Sequence, residues 1–138
     1  MPYGYAIDPA RRLVMVTVTG PWDFESALAA MRAVRADPGL RPHDRILVDL
    51  RAAEFAPTAA EVRAFAALQA TPAGYLRHRV AVVARPPLAA AMAQEARLCR
   101  ARGAACRAFR SPGRALAWLE APTPARGRPA WPPPPGAC

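Results

Sequence analysis

Apolar and polar residues alternate strictly near the start of the chain. Between Leu13 and Thr19, Val14, Val16 and Val18 fall on one side of an extended strand, and Met15, Thr17 and Thr19 on the other; a period of two sends successive side chains to opposite faces. One side is wholly apolar and the other only partly so. The preceding segment from Gly4 is read as a partner strand, because Asp8-Pro9-Ala10-Arg11 has turn composition and Pro9 supplies the fixed φ of the second turn position. A hairpin is predicted over Gly4 to Thr19.

After Gly20-Pro21-Trp22 the period lengthens. Asp23 is placed to cap a helix in which Phe24, Ala27, Leu28, Met31 and Val34 share a face, and Asp37-Pro38-Gly39 ends it. Ile46 to Leu50 reads as a short buried strand, followed by a loop from Ala52 to Pro57. Thr58 and Glu61 have the spacing of a capping box, in which hydroxyl and carboxylate each accept from the other's backbone N–H. The helix they open is expected to bury Val62, Phe65, Ala66 and Leu68. Val80 to Ala84 is a further apolar strand, stopped by Arg85-Pro86-Pro87. A third helix aligns Leu88, Met92, Ala96 and Cys99, and Gly103 sits where a left-handed cap is wanted. A last strand at Cys106 to Phe109 leads to Ser111-Pro112, a cap followed by proline at the first helical position. Ala115, Leu116 and Leu119 form the inner face of that final helix, with Trp118 close by.

The order of elements predicts an α/β fold: a single-domain mixed sheet of about five strands, an antiparallel N-terminal hairpin and then parallel strands, with four helices. With 138 residues, one core is expected. The domain is assigned to residues 1–121. Residues 122–138, rich in proline with four in a row after Trp131, read as a disordered tail, because such a composition buries too little to offset its ordering entropy.

Composition narrows the function classes. No apolar run reaches the ~20 residues of a membrane span, and no secretory signal opens the chain, so a cytoplasmic location is expected. Three cysteines (Cys99, Cys106 and Cys138) without C-x-x-C spacing frame neither a zinc site nor a disulfide scaffold. The formal charge is +9 and every basic residue is arginine, yet the arginines are scattered along the sequence rather than massed with stacking aromatics. Nucleic-acid binding is therefore not expected.

Catalysis requires a nucleophile, a base and an orienting group that meet. His43 and His78 are read as solvated loop residues. Asp49, Glu54 and Glu61 lack evidence of a shared pocket, and no phosphate loop or nucleophile elbow is present. No enzyme activity, metal or cofactor is expected.

Val16-Thr17-Val18-Thr19-Gly20, Ile46-Leu47-Val48-Asp49-Leu50-Arg51, Arg79-Val80-Ala81-Val82-Val83 and Ala115-Leu116-Ala117-Trp118-Leu119 resemble the SpoIIAA-like group of STAS-related domains, also known as STAS/SEC14-like. The resemblance spans roughly Tyr5 to Leu119 and rests on element order and short apolar signatures. It implies a protein-interaction or regulatory module. In the related anti-sigma-factor antagonists, an Asp-Ser pair at a helix start carries a regulatory phosphorylation; here the aligned pair is Pro57-Thr58, so the resemblance implies phosphorylation of Thr58, whereas the residues themselves already explain Thr58 as a helix cap.

One candidate site comes from placement. Arg51, Arg85 and Arg110 each follow a strand that should run parallel to the other two, so all three should emerge at the edge where open α/β sheets bind ligands. The helix starts at Thr58, Leu88 and Ser111 belong to the same edge, with Trp22 as an aromatic contact. The abundance of arginine throughout the chain is the plainer account of the same positions. Two functions follow. The rim could recognise an acidic partner protein; alternatively, it could hold the head of a lipid or other amphiphilic anion, as the SEC14-like half of the resemblance implies, provided an apolar cavity adjoins it. The sheet face of Met15 and Thr17 could be covered by a helix or by a second copy in a homodimer.

Overall fold

In the computed structural model, which describes residues 2–122, strands β1 (Tyr3–Asp8) and β2 (Leu13–Pro21) form the antiparallel hairpin. Helix α1 (Phe24–Ala36), strand β3 (Arg45–Glu54), helix α2 (Ala59–Gln69), strand β4 (Val80–Val83), helix α3 (Leu88–Ala101), strand β5 (Cys106–Phe109) and helix α4 (Pro112–Glu120) follow. The sheet order is β1-β2-β3-β4-β5, and β2 to β5 are all parallel. The expected α/β architecture of five strands and four helices is the observed one. The expected tail lies, beyond Pro122, outside the described residues.

Because each parallel strand is laid down beside its predecessor in one direction, right-handed crossovers put all three connecting helices on one face. Val14, Val16, Val18, Ile46, Val80 and Val82 meet the buried sides of α1, α2 and α3 there. Among the described residues, the opposite face carries α4 alone, over Leu13, Leu47, Ala81 and Val83. All four residues of β4 are buried, as a strand covered on both faces requires. Helix α4 contacts β3, β4 and β5, and Met15 on β2 stays 39% exposed.

The caps follow the sequence reading. The Asp23 carboxylate accepts from the Ser26 N–H at 2.7 Å, Thr58 and Glu61 complete their capping box, and Ser111 accepts from the Arg114 N–H. Gly103 holds φ +93° after α3, a conformation that side chains disfavour. Gly74 has a different role: a Cβ there would lie 2.4 Å from the Leu68 carbonyl oxygen. This close approach lets the chain fold back under α2 and turn Tyr75 into the core.

Three expectations are corrected. Strand β3 runs on to Glu54 instead of ending at Leu50, because a bulge between the Thr17–Asp49 and Thr19–Ala52 pairs adds one residue to β3 and hides its later pairing from a period-two reading. Arg51 thus lies within the strand. Leu68 is 43% exposed, and Gln69 takes the buried position at the end of α2. His78 is a buried residue, not a solvated one: 4% exposed, it sets Nδ1 2.6 Å from the Asp44 carbonyl oxygen and stands edge-on to Tyr75. Burial is the main reason its pKa falls below the ordinary imidazole value.

Candidate functional site

The carboxyl ends of β2 to β5 share one edge, since these strands are parallel and adjacent. A pocket of about 450 Å³ at this edge has both Arg51 and Arg85 on its wall, with Glu54, Phe55 and Pro86 between them. Arg110 borders the adjoining hollow beside Pro86 and Phe109. The topology therefore brings the three arginines to one rim, but they are not electrostatically equivalent. Arg51 is engaged by Asp49: its Nη2 lies 2.9 Å from Oδ2 and its Nε 3.0 Å from Oδ1. The Asp49 carboxyl is held below its ordinary pKa, chiefly by these bonds and more weakly by the charge of Arg85. Arg85 and Arg110 are exposed and have no ion pair among the described residues.

Thr58 is exposed at the start of α2. Its hydroxyl already accepts from the Glu61 N–H at 3.1 Å, and the Glu61 carboxylate accepts from the Thr58 N–H at 3.0 Å. Trp22 does not project from the rim. It is buried, stands edge-on to Tyr3 at 5.6 Å between centroids, and walls a cavity beneath α1 and α2.

That cavity, about 60 Å³, is bounded by sheet residues such as Val16 and Val82, by Phe24 and Met31 of α1, and by Phe65 of α2. Leu50 and Phe55 line both this cavity and the arginine pocket. Three polar side chains interrupt the apolar wall: Glu61, already committed to its cap, Glu95 of α3 and Tyr75. Glu95 and Tyr75 are 6% and 5% exposed, and neither side chain makes a hydrogen bond or ion pair among the described residues. Among the described residues no fully enclosed side-chain oxygen or nitrogen lacks a partner, so the oxygens of Glu95 and Tyr75 keep some accessible surface. Burial raises the Glu95 pKa to about 8, which keeps the group a neutral acid at pH 7, and burial likewise raises the Tyr75 hydroxyl.

Glu95 was legible as an anomaly. It falls on the stripe of Leu88, Met92, Ala96 and Cys99, where an acid interrupts an apolar helical face. Tyr75 carried no such signal, because its loop has no periodicity. Of the acids singled out in the sequence, Asp49 is engaged by Arg51 and Glu61 by its capping box. Among the described residues, no group of histidine, cysteine or acidic side chains could hold a metal, and no helix is long and apolar enough to cross a membrane.

Among solved structures, an uncharacterised protein of the DUF3478 family from Shewanella loihica PV-4, described as having a SpoIIAA-like fold, is similar to this chain at 15% identity. The match covers 85% of this chain and 93% of that one, with a TM-score of 0.52. The chain has a SpoIIAA-like fold. No protein-family model matches the sequence, and no curated protein matches it. At this identity the likeness shows the fold alone. Within this SpoIIAA-like fold, Leu50 and Phe55 stand between the cavity and the arginine pocket and line both.

Proposed function

We propose that this SpoIIAA-like domain is a non-enzymatic binding module for a small amphiphilic anion, which sets its charge at Arg51 and Arg85, lays its chain in the arginine pocket and puts only its terminal carbons into the small cavity. The observation that carries this reading is that Leu50 and Phe55 line both the cavity and the arginine pocket. A small ligand site is typically apolar with a few polar groups that fix orientation. Glu95 and Tyr75 give the cavity a polar pole, which favours a tail bearing an oxygen over a plain hydrocarbon.

Titration calorimetry of the full chain with octanoate, octan-1-ol and octylamine tests the proposal. Octanoate should bind at least fivefold more tightly than the other two. R51E/R85E should abolish that preference, and Ala27→Phe, which fills the cavity, should abolish binding of all three. An octanoate affinity untouched by Ala27→Phe would overturn the reading.

The exposed and unpaired state of Arg85 and Arg110 favours a second reading, in which the same edge recognises an acidic partner protein close to Thr58. In that case R110E should lose a partner retained by the wild-type chain while keeping its octanoate affinity. Phosphorylation of Thr58 would replace the cap with a bulky anion beside Glu61, so Thr58→Glu should weaken the same complex. A partner retained equally by all three proteins would exclude this reading.

A further inference from the structure

The opposite edge of the sheet, where β2 to β5 begin, gathers more positive charge than the rim does. Arg12 precedes β2, Arg45 opens β3, Arg79 precedes β4 and Arg107 lies in β5. Arg77 joins them from the loop before β4, and Arg100 from the last turn of α3, which runs back to this end. These six arginines line one groove of about 820 Å³ together with His43 and Trp118, and no aspartate or glutamate lines it among the described residues.

Most of this charge is uncompensated. Arg12 pairs with Asp44, its Nε 3.1 Å from the carboxylate. The other five have no ion pair among the described residues. Arg45, Arg79 and Arg100 are instead steadied by backbone carbonyls, those of Arg11, Ala121 and Cys106. Arg79 also lies 4.3 Å over the Trp118 ring. Burial, and then the charge of Arg45, make Arg79 less basic than an ordinary guanidinium. Like charges held this close repel, and their repulsion is relieved by an anion that several of them contact together. Guanidinium groups also match the geometry of phosphate oxygens.

We propose that this groove is a binding site for a compact multivalent phosphate anion, with Arg45, Arg77, Arg79 and Arg107 supplying its guanidinium donors. The groove has the volume of a small-molecule pocket. A single-stranded nucleic acid is the less suitable occupant, because such strands need aromatic platforms for their bases, and of the aromatic rings lining the groove among the described residues, His43 and Trp118, the larger is already covered by Arg79. The site is independent of the cavity and its rim.

The test uses inorganic triphosphate and a twenty-residue oligothymidylate with the full chain, by titration calorimetry at 0.1 M salt. R77E/R107E alters two exposed arginines whose side chains make no hydrogen bond among the described residues, Arg107 lying 5.9 Å over the Phe109 ring. R32E/R63E makes the same change in net charge on the exposed sides of α1 and α2. Triphosphate should bind one to one, at least tenfold more weakly to R77E/R107E and within twofold of wild type to R32E/R63E, with all three proteins unfolding at similar urea concentrations. Equal losses in both variants would reduce the effect to overall charge and overturn the site. Absence of triphosphate binding to the wild type would overturn it too. Tighter binding of the oligonucleotide, displacing triphosphate, would replace the small-anion site with a nucleic-acid surface.

Discussion

The Arg51 guanidinium grips the Asp49 carboxylate, two residues earlier on the same strand, through Nη2 to Oδ2 at 2.9 Å and Nε to Oδ1 at 3.0 Å. The bulge in β3 gives this pair its setting, and the pair lowers the anion-attracting power of the rim. Asp49→Asn should therefore strengthen octanoate binding severalfold. Because the pair is largely screened by solvent, stability should change little, which urea unfolding would check.

Glu95 makes stability depend on pH. Its folded pKa is raised to about 8 from an ordinary 4.5, so the unfolded chain ionises first as pH rises. The cost of burying Glu95 is absent below pH 4.5, grows by about 1.4 kcal/mol per pH unit up to about pH 8, and is constant above. Glu95→Gln should remove this slope and make the protein more stable than wild type at pH 8, but not at pH 4.5. Parallel urea titrations at those two values decide the matter.

His78 acts at lower pH. Its folded pKa is depressed by burial, so the neutral ring is the form that folds. The stability it contributes is fully present above pH 6.5 and is lost as pH falls toward the folded value. Its ring resonances should titrate below pH 6.5, and His78→Leu should abolish this part of the acid destabilisation. The carbonyl of Asp44 would then lose a partner.

Thr58→Ala removes one half of the capping box. The expected loss is about 1 kcal/mol, with Thr58→Ser close to wild type. An unfolding midpoint unchanged in the alanine variant would mean that the cap adds nothing to stability.

Met92 is buried and lines the cavity. Met92→Ala should cost about 2 to 5 kcal/mol and shift the preferred chain length of the anion upward, from octanoate to decanoate. An unchanged chain-length preference would separate the cavity from ligand binding.

What the sequence determined by itself is what local physics controls. Alternation at Val14, Val16 and Val18, the caps at Asp23, Thr58 and Ser111, and the stop at Gly103 each depend on residues within a few positions, so strands, helices and their order were readable. The order in turn constrained the sheet, because right-handed crossovers leave few ways to lay four parallel strands. Tertiary structure decided the rest. Trp22 turned inward, and His78 became buried against Asp44, 34 residues away. Arginines spread from Arg12 to Arg107 converged on one groove. Spacing along a chain records neighbours on one element, whereas a site built from strand starts, a loop and a helix end exists only after parallel pairing has brought those ends together.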